Sequence, residues 1–124
     1  MNDSLLSLDL TEVRQSIAAG VVLRTSPSDL NQALAQRRDI AVVDVRKSED
    51  FAKGHIPGAM NLPPAEWDEA AGPGKDEVVV VYCYHHTCPL GGAVCAELAE
   101  RGYPIVDMDG GFEVWESSEF TVDS

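Results

Sequence analysis

Val78-Val79-Val80-Val81-Tyr82-Cys83 runs into Tyr84-His85-His86-Thr87-Cys88-Pro89-Leu90 and then Gly91. The first six residues are all apolar and four are β-branched. The run is too short for an ordinary helix and suits a strand. It is continuous rather than alternating, which predicts burial on both faces, as in a parallel sheet covered by helices. After the polar loop, residues 91–101 read as a helix with Val94 and Leu98 facing in, Glu97, Glu100 and Arg101 facing out, and Gly102 at its end. Strand, loop and helix in that order put Cys83 at the carboxyl end of a strand, the edge where open parallel sheets bind ligands.

The flanking sequence repeats the alternation. Downstream, residues 104–108 read as a strand, followed by Gly110-Gly111 and a short segment whose Phe112 and Trp115 cap the core. Upstream, residues 40–45 form another short β-branched run. Before it, Ser26-Pro27-Ser28-Asp29 opens a helix: a capping serine, a proline at the first helical position and an acid in the first turn. Leu30, Ala33 and Leu34 give that helix its inner face. Residues 21–23 suggest a short strand, and residues 9–19 a short helix with Leu10, Val13 and Ile17 on one side and Gly20 closing it. Between the strands, Gly54, Pro57 and Gly58 break structure, Leu62-Pro63-Pro64 is extended, and residues 65–71 suggest a short helix stopped by Gly72-Pro73-Gly74. Strands alternating with helices predict an α/β fold, a mostly parallel sheet with helices on both faces.

Composition bounds the function. The 124 residues, 44% apolar and 24% charged, suit one globular domain. No apolar run approaches the roughly 20 residues of a membrane helix. The first nine residues carry no basic residue ahead of their leucines, unlike a signal peptide, so the expected compartment is the cytoplasm. The three cysteines are then expected as thiols rather than structural bridges. A formal charge of −12 argues against nucleic acid and anionic membranes as partners. It also disfavours small anionic substrates unless the site builds a local positive field, although acidity serves solubility as well.

Cys83 is the leading chemical candidate. Loop amides and the start of a helix favour a thiolate or a bound anion and can lower a cysteine pKa from about 8.5 to between about 3.5 and 7.5. The plainer reading, a small buried hydrophobe at a strand end, stands beside it.

Three stretches resemble the signatures of rhodanese-like domains. They are Asp44-Val45-Arg46 with Glu49-Asp50-Phe51 and Gly54-His55-Ile56-Pro57-Gly58-Ala59-Met60-Asn61-Leu62-Pro63; Val80-Val81-Tyr82-Cys83; and Gly102-Tyr103 with Asp109-Gly110-Gly111-Phe112 through Trp115. They occur in family order between about Pro27 and Glu116. The resemblance implies a three-layer fold with a five-stranded sheet, residues 24–124 as the domain and residues 1–23 as an N-terminal extension, a candidate homodimer contact. It also implies a sulfurtransferase with Cys83 as its catalytic nucleophile, carrying sulfane sulfur as a persulfide. Tyr84, His85, His86, Thr87 and Cys88 would form the substrate-binding loop. A small sulfur donor and a thiol acceptor would be the partners, and neither cofactor nor metal is required.

The loop departs from the family pattern. It has no Arg, Lys or Gly between Cys83 and Gly91, and with a helix start at Gly91 it is two residues longer than the usual six. Missing cations disfavour thiosulfate, a dianion. Related phosphatases use an Arg six positions after the cysteine, where this chain has Pro89. Cys88 is either a resolving thiol or a space-filler. His85 and His86 offer pH-dependent charge or simply face solvent. Cys83, His85, His86 and Cys88 are soft metal ligands, but adjacent histidines in a tight curl close poorly around one ion. His55 reads as a scaffold residue, Asp44 and Arg46 as loop-ordering residues, and Cys95 as core. Trp67 with Glu66, Asp68 and Glu69 forms either a partner rim or a solvated face. A non-catalytic interaction or persulfide-sensing module is the alternative function.

Overall fold

The valine run is the middle strand of a five-stranded sheet in the computed structural model. The structure describes residue 5 and residues 8–36, 39–63, 72–85 and 89–124. The elements are α1 (Leu10–Ala18), β1 (Leu23–Thr25), α2 (Pro27–Gln36), β2 (Ile40–Asp44), α3 (Ser48–Lys53), β3 (Met60–Asn61), β4 (Val78–Tyr82), α4 (Pro89–Glu100), β5 (Ile105–Met108) and α5 (Gly111–Ser117). The strand order is β1-β5-β4-β2-β3 and every pairing is parallel. Val80 stands between Val42 on β2 and Val106 on β5.

The two faces of β4 feed two cores. Val78, Val80 and Tyr82 join Val13 of α1, Leu30 and Ala33 of α2, and Phe112 and Trp115 of α5. Val79, Val81 and Cys83 join Val94, Cys95 and Leu98 of α4. The four valines are at most 1% exposed. Burial contributes about 1.5–3 kcal/mol for each such side chain, more than the roughly 1 kcal/mol span of strand propensity. Packing on both sides therefore dominates the placement of this strand.

Helix starts follow the local chemistry. Asp9 and Glu12 close a reciprocal capping box on α1. Ser26 Oγ accepts the Asp29 N–H at 3.0 Å, and Pro27 opens α2 as expected.

Three elements depart from the sequence reading. α4 begins at Pro89, not Gly91, because proline suits the first helical position. The loop from Cys83 therefore has the family's six residues rather than two extra. β1 lies at residues 23–25 rather than 21–23, in register with Val106, Asp107 and Met108. The fifth strand is the two-residue β3, paired with Val43 and Asp44. The suggested helix at residues 65–71, with Trp67 and its acidic neighbours, lies outside the described residues. Among the described residues, no helix is long and apolar enough to cross a membrane.

Candidate active site

Cys83 is the first residue beyond β4 and is buried, 4% exposed. Its carbonyl accepts the Phe112 N–H at 2.9 Å, and the Tyr84 carbonyl accepts the Glu113 N–H at 2.9 Å. Two first-turn amides of α5, which have no partner within their own helix, thus hold the start of the loop. Gly111 makes this approach possible. It has φ +65°, and a Cβ on it would lie 2.6 Å from His85 N and 2.7 Å from the Tyr84 carbonyl carbon. The sequence offered Gly110-Gly111 only as part of a signature; the contact with the loop needed the fold.

Tyr84 is half-buried and ties the loop to the other side. Its hydroxyl donates to Asp50 Oδ2 at 2.5 Å and accepts the Lys47 N–H at 3.3 Å. Lys47 is the N-cap of α3, and its side chain makes no capping bond. The tyrosine hydroxyl thus sits between the cap N–H and an acid in the first helical turn, replacing the direct link of a capping box. His85 is exposed. His86, Thr87 and Cys88 lie outside the described residues.

Asp44 and Arg46 form the buried electrostatic anchor under this edge, 0% and 4% exposed. Arg46 Nη2 lies 2.8 Å from Asp44 Oδ2, and its Nε is 3.1 Å from both carboxylate oxygens. Nη2 also donates to the Gly54 carbonyl at 2.6 Å. The guanidinium lies 4.2 Å from the Phe112 ring centroid and 5.7 Å from that of Tyr84. Burial alone works against the Arg46 charge, but the Asp44 hydrogen bonds and charge overcome it and raise its pKa. Tyr82 joins the same network from the core: its hydroxyl accepts the Ile56 N–H at 3.1 Å. Burial, then the neighbouring Asp44 charge, pushes that phenol above its ordinary range.

The remaining sequence candidates are structural. His55 Nδ1 pairs with the Phe51 carbonyl at 2.8 Å, its ring stacks on Phe51, and its backbone pairs with Asp123. Cys95 is 3% exposed, and its thiol is pushed up to about 12, by burial first and by Asp107 second. Trp115 and Phe112 are buried in the core they were expected to cap.

A buried cysteine at the carboxyl end of the central parallel strand, heading a six-residue loop into a helix, defines a thiol-centred α/β domain. This chain belongs to the rhodanese-like domain family, whose model matches residues 26–118. It is 35% identical over 95 residues to the thiosulfate sulfurtransferase GlpE of Coxiella burnetii, covering 73% of this chain and 85% of that one. It is 34% identical over 91 residues to a sulfurtransferase of Allochromatium vinosum, covering 69% and 80%. An HTH-type transcriptional regulator of Mycobacterium tuberculosis, Rv0324, is 31% identical over 113 residues, covering 87% of this chain and 50% of the regulator. Among solved structures, the BH2092 protein of Bacillus halodurans superposes with a TM-score of 0.78 at 26% identity, covering 92% of this chain and 85% of that one.

Proposed function

We propose that this protein is a sulfurtransferase in which Cys83 carries sulfane sulfur as a persulfide. The observation that carries the reading is the held loop: Cys83 ends the central strand, α5 amides bind the Cys83 and Tyr84 carbonyls, and α4 begins six residues after the cysteine. The names of the relatives support its coarser part, a sulfurtransferase. The Cys83 thiolate attacks the outer sulfur of a donor persulfide; the donor S–S bond breaks and its electron pair leaves on the donor thiolate. An acceptor thiolate then takes the outer sulfur and Cys83 departs as thiolate. Loop amides and the α4 terminus stabilise the persulfide anion.

Persulfide or polysulfide donors fit better than thiosulfate. The loop has no Lys or Arg, and the charge of Arg46 is engaged by Asp44. Cys88, five residues after Cys83, serves as resolving thiol: its thiolate attacks the inner sulfur of the protonated persulfide, forms the Cys83–Cys88 bond and expels hydrosulfide. A second reading, a sensing module, is favoured by the likeness to the transcriptional regulator.

Intact-mass analysis after polysulfide treatment tests the reading. One added sulfur on Cys83, lost on adding a thiol acceptor over many cycles, supports the enzyme. A single charge that never turns over supports sensing. The absence of both added sulfur on Cys83 and a Cys83–Cys88 disulfide overturns both readings. A Cys88→Ser variant should hold its persulfide longer and give no Cys83–Cys88 peptide; an unchanged lifetime would remove Cys88 from the mechanism.

A further inference from the structure

The start of the Cys83 loop is gripped from two sides. On one side, the Cys83 and Tyr84 carbonyls accept the Phe112 and Glu113 N–H groups of α5, each at 2.9 Å. In a planar trans peptide the N–H points opposite to the carbonyl. The Tyr84 and His85 N–H groups therefore point away from α5. The Cys83 side chain lies on that side too, in the core shared with Val94 and Leu98 of α4, whereas Phe112 belongs to the other core. The clamp thus turns two amides toward the face that carries the sulfur.

Two carbonyl bonds to one short helix do not fix the loop by themselves. Both lie on one side of the chain, and the loop start is free to rock about the line joining them. The second grip removes that motion. The Tyr84 hydroxyl donates to Asp50 Oδ2 at 2.5 Å and accepts the Lys47 N–H at 3.3 Å, both at the start of α3. A hydrogen bond to a carboxylate is charge-assisted and roughly twice as strong as a neutral one.

We propose that Tyr84 and Asp50 form a positioning pair for Cys83: the phenol-to-carboxylate bond holds the loop in the orientation that aims the Tyr84 and His85 amides at the sulfur. Each residue acts through the loop rather than on the donor. The inference rests on the sulfur-carrying role of Cys83 and names residues that set its reactivity. Tyr84 stays a proton donor, because burial and then the Asp50 bond hold its phenol above the ordinary range.

The test uses the full chain carrying Cys88→Ser, so that no disulfide competes. Sulfur uptake at Cys83 from polysulfide is followed by intact mass, and Cys83 alkylation by iodoacetamide is followed by peptide mapping. Tyr84→Phe keeps the ring and loses the hydroxyl; it should slow both reactions about tenfold, the effect of one hydrogen bond to a charged group. Asp50→Ala should match it, and the double variant should be no slower than either. Asp50→Asn retains an acceptor and should recover part of the rate, a rescue that a merely structural loss would not show. Unchanged rates in Tyr84→Phe, or effects that add in the double variant, overturn the pair. So does a faster reaction, which would make the bond a closure over Cys83. If Tyr84→Phe does not fold, equal rates in Asp50→Ala and Asp50→Asn overturn the pair. No sulfur uptake in any variant, with alkylation slowed equally by Tyr84→Phe and Asp50→Ala, sinks the sulfur-carrying reading and keeps the pair. Uptake at an undiminished rate in every variant sinks only the pair.

Discussion

Asp44 and Arg46 are two positions apart at the end of β2, and their side chains lie against the sheet edge that carries Cys83. Removing one partner leaves the other charge buried, which typically costs about 3–5 kcal/mol. Arg46→Met should lose stability on that scale in denaturant titration. Arg46→Lys keeps the charge but not the bidentate fork and should recover only part. Equal stability of Arg46→Met and wild type would show that water reaches Asp44. The other buried thiol is a useful contrast to Cys83. Cys95, buried on α4 and pushed up to about 12, should stay unalkylated by iodoacetamide in the native protein and react only in denaturant. Labelling of native Cys95 at the rate of an exposed thiol would refute its core placement.

At the scale of elements, the loop is held between α3 and α5, and Gly111 sets its distance from α5. Gly111→Ala adds the left-handed penalty of about 1–2 kcal/mol to a clash with His85 and Tyr84 backbone. Gly58 also has positive φ, +80°, but a Cβ there meets nothing within 4 Å. Gly58→Ala should therefore cost stability alone, about 1–2 kcal/mol. Gly111→Ala should cost more, about 2–4 kcal/mol with the overpacking included, and slow sulfur uptake by Cys83. Equal uptake in the two variants would show that the loop tolerates displacement. The strands with strong burial were legible: 40–45, 78–83 and 104–108 each carry enough β-branched residues to announce themselves. α3 and α5, of six and seven residues, are too short for a helical period to stand out, and β3 has two residues. The place of Cys83 at the strand end was legible because a strand, a loop and a helix meet there. The Tyr84–Asp50 bond spans 34 residues and the Gly111–His85 approach joins separate elements, so neither has a local signal.

For the whole molecule, pH dependence is set by groups buried in their protonated form. Cys95 is held at about 12 against an ordinary 9.0. Between those values the unfolded thiol is ionised and the folded one is not, so the unfolded state binds fewer protons and stability falls as pH rises. Below about pH 9 both states are protonated and the contribution is intact. A thousandfold difference in proton affinity corresponds to about 4 kcal/mol as an upper scale by pH 12. Tyr82 acts in the same direction above its ordinary 10.0, through burial and then Asp44. Asp107, raised by burial, has the same sign at the acid end: its contribution declines as pH rises above the ordinary 3.8. Each alkaline ionisation also adds to a formal charge of −12, which increases self-repulsion. Denaturant-derived stability should therefore fall steadily from about pH 9 upward. Salt separates the causes, because it screens surface repulsion but not a buried thiol. Cys95→Ala should start less stable, from the cavity it leaves, yet lose less between about pH 9 and 11 than wild type at high salt. A wild-type slope that vanishes in salt, or one unchanged by Cys95→Ala and by Tyr82→Phe, would assign the alkaline loss to surface charge and not to the core around β4.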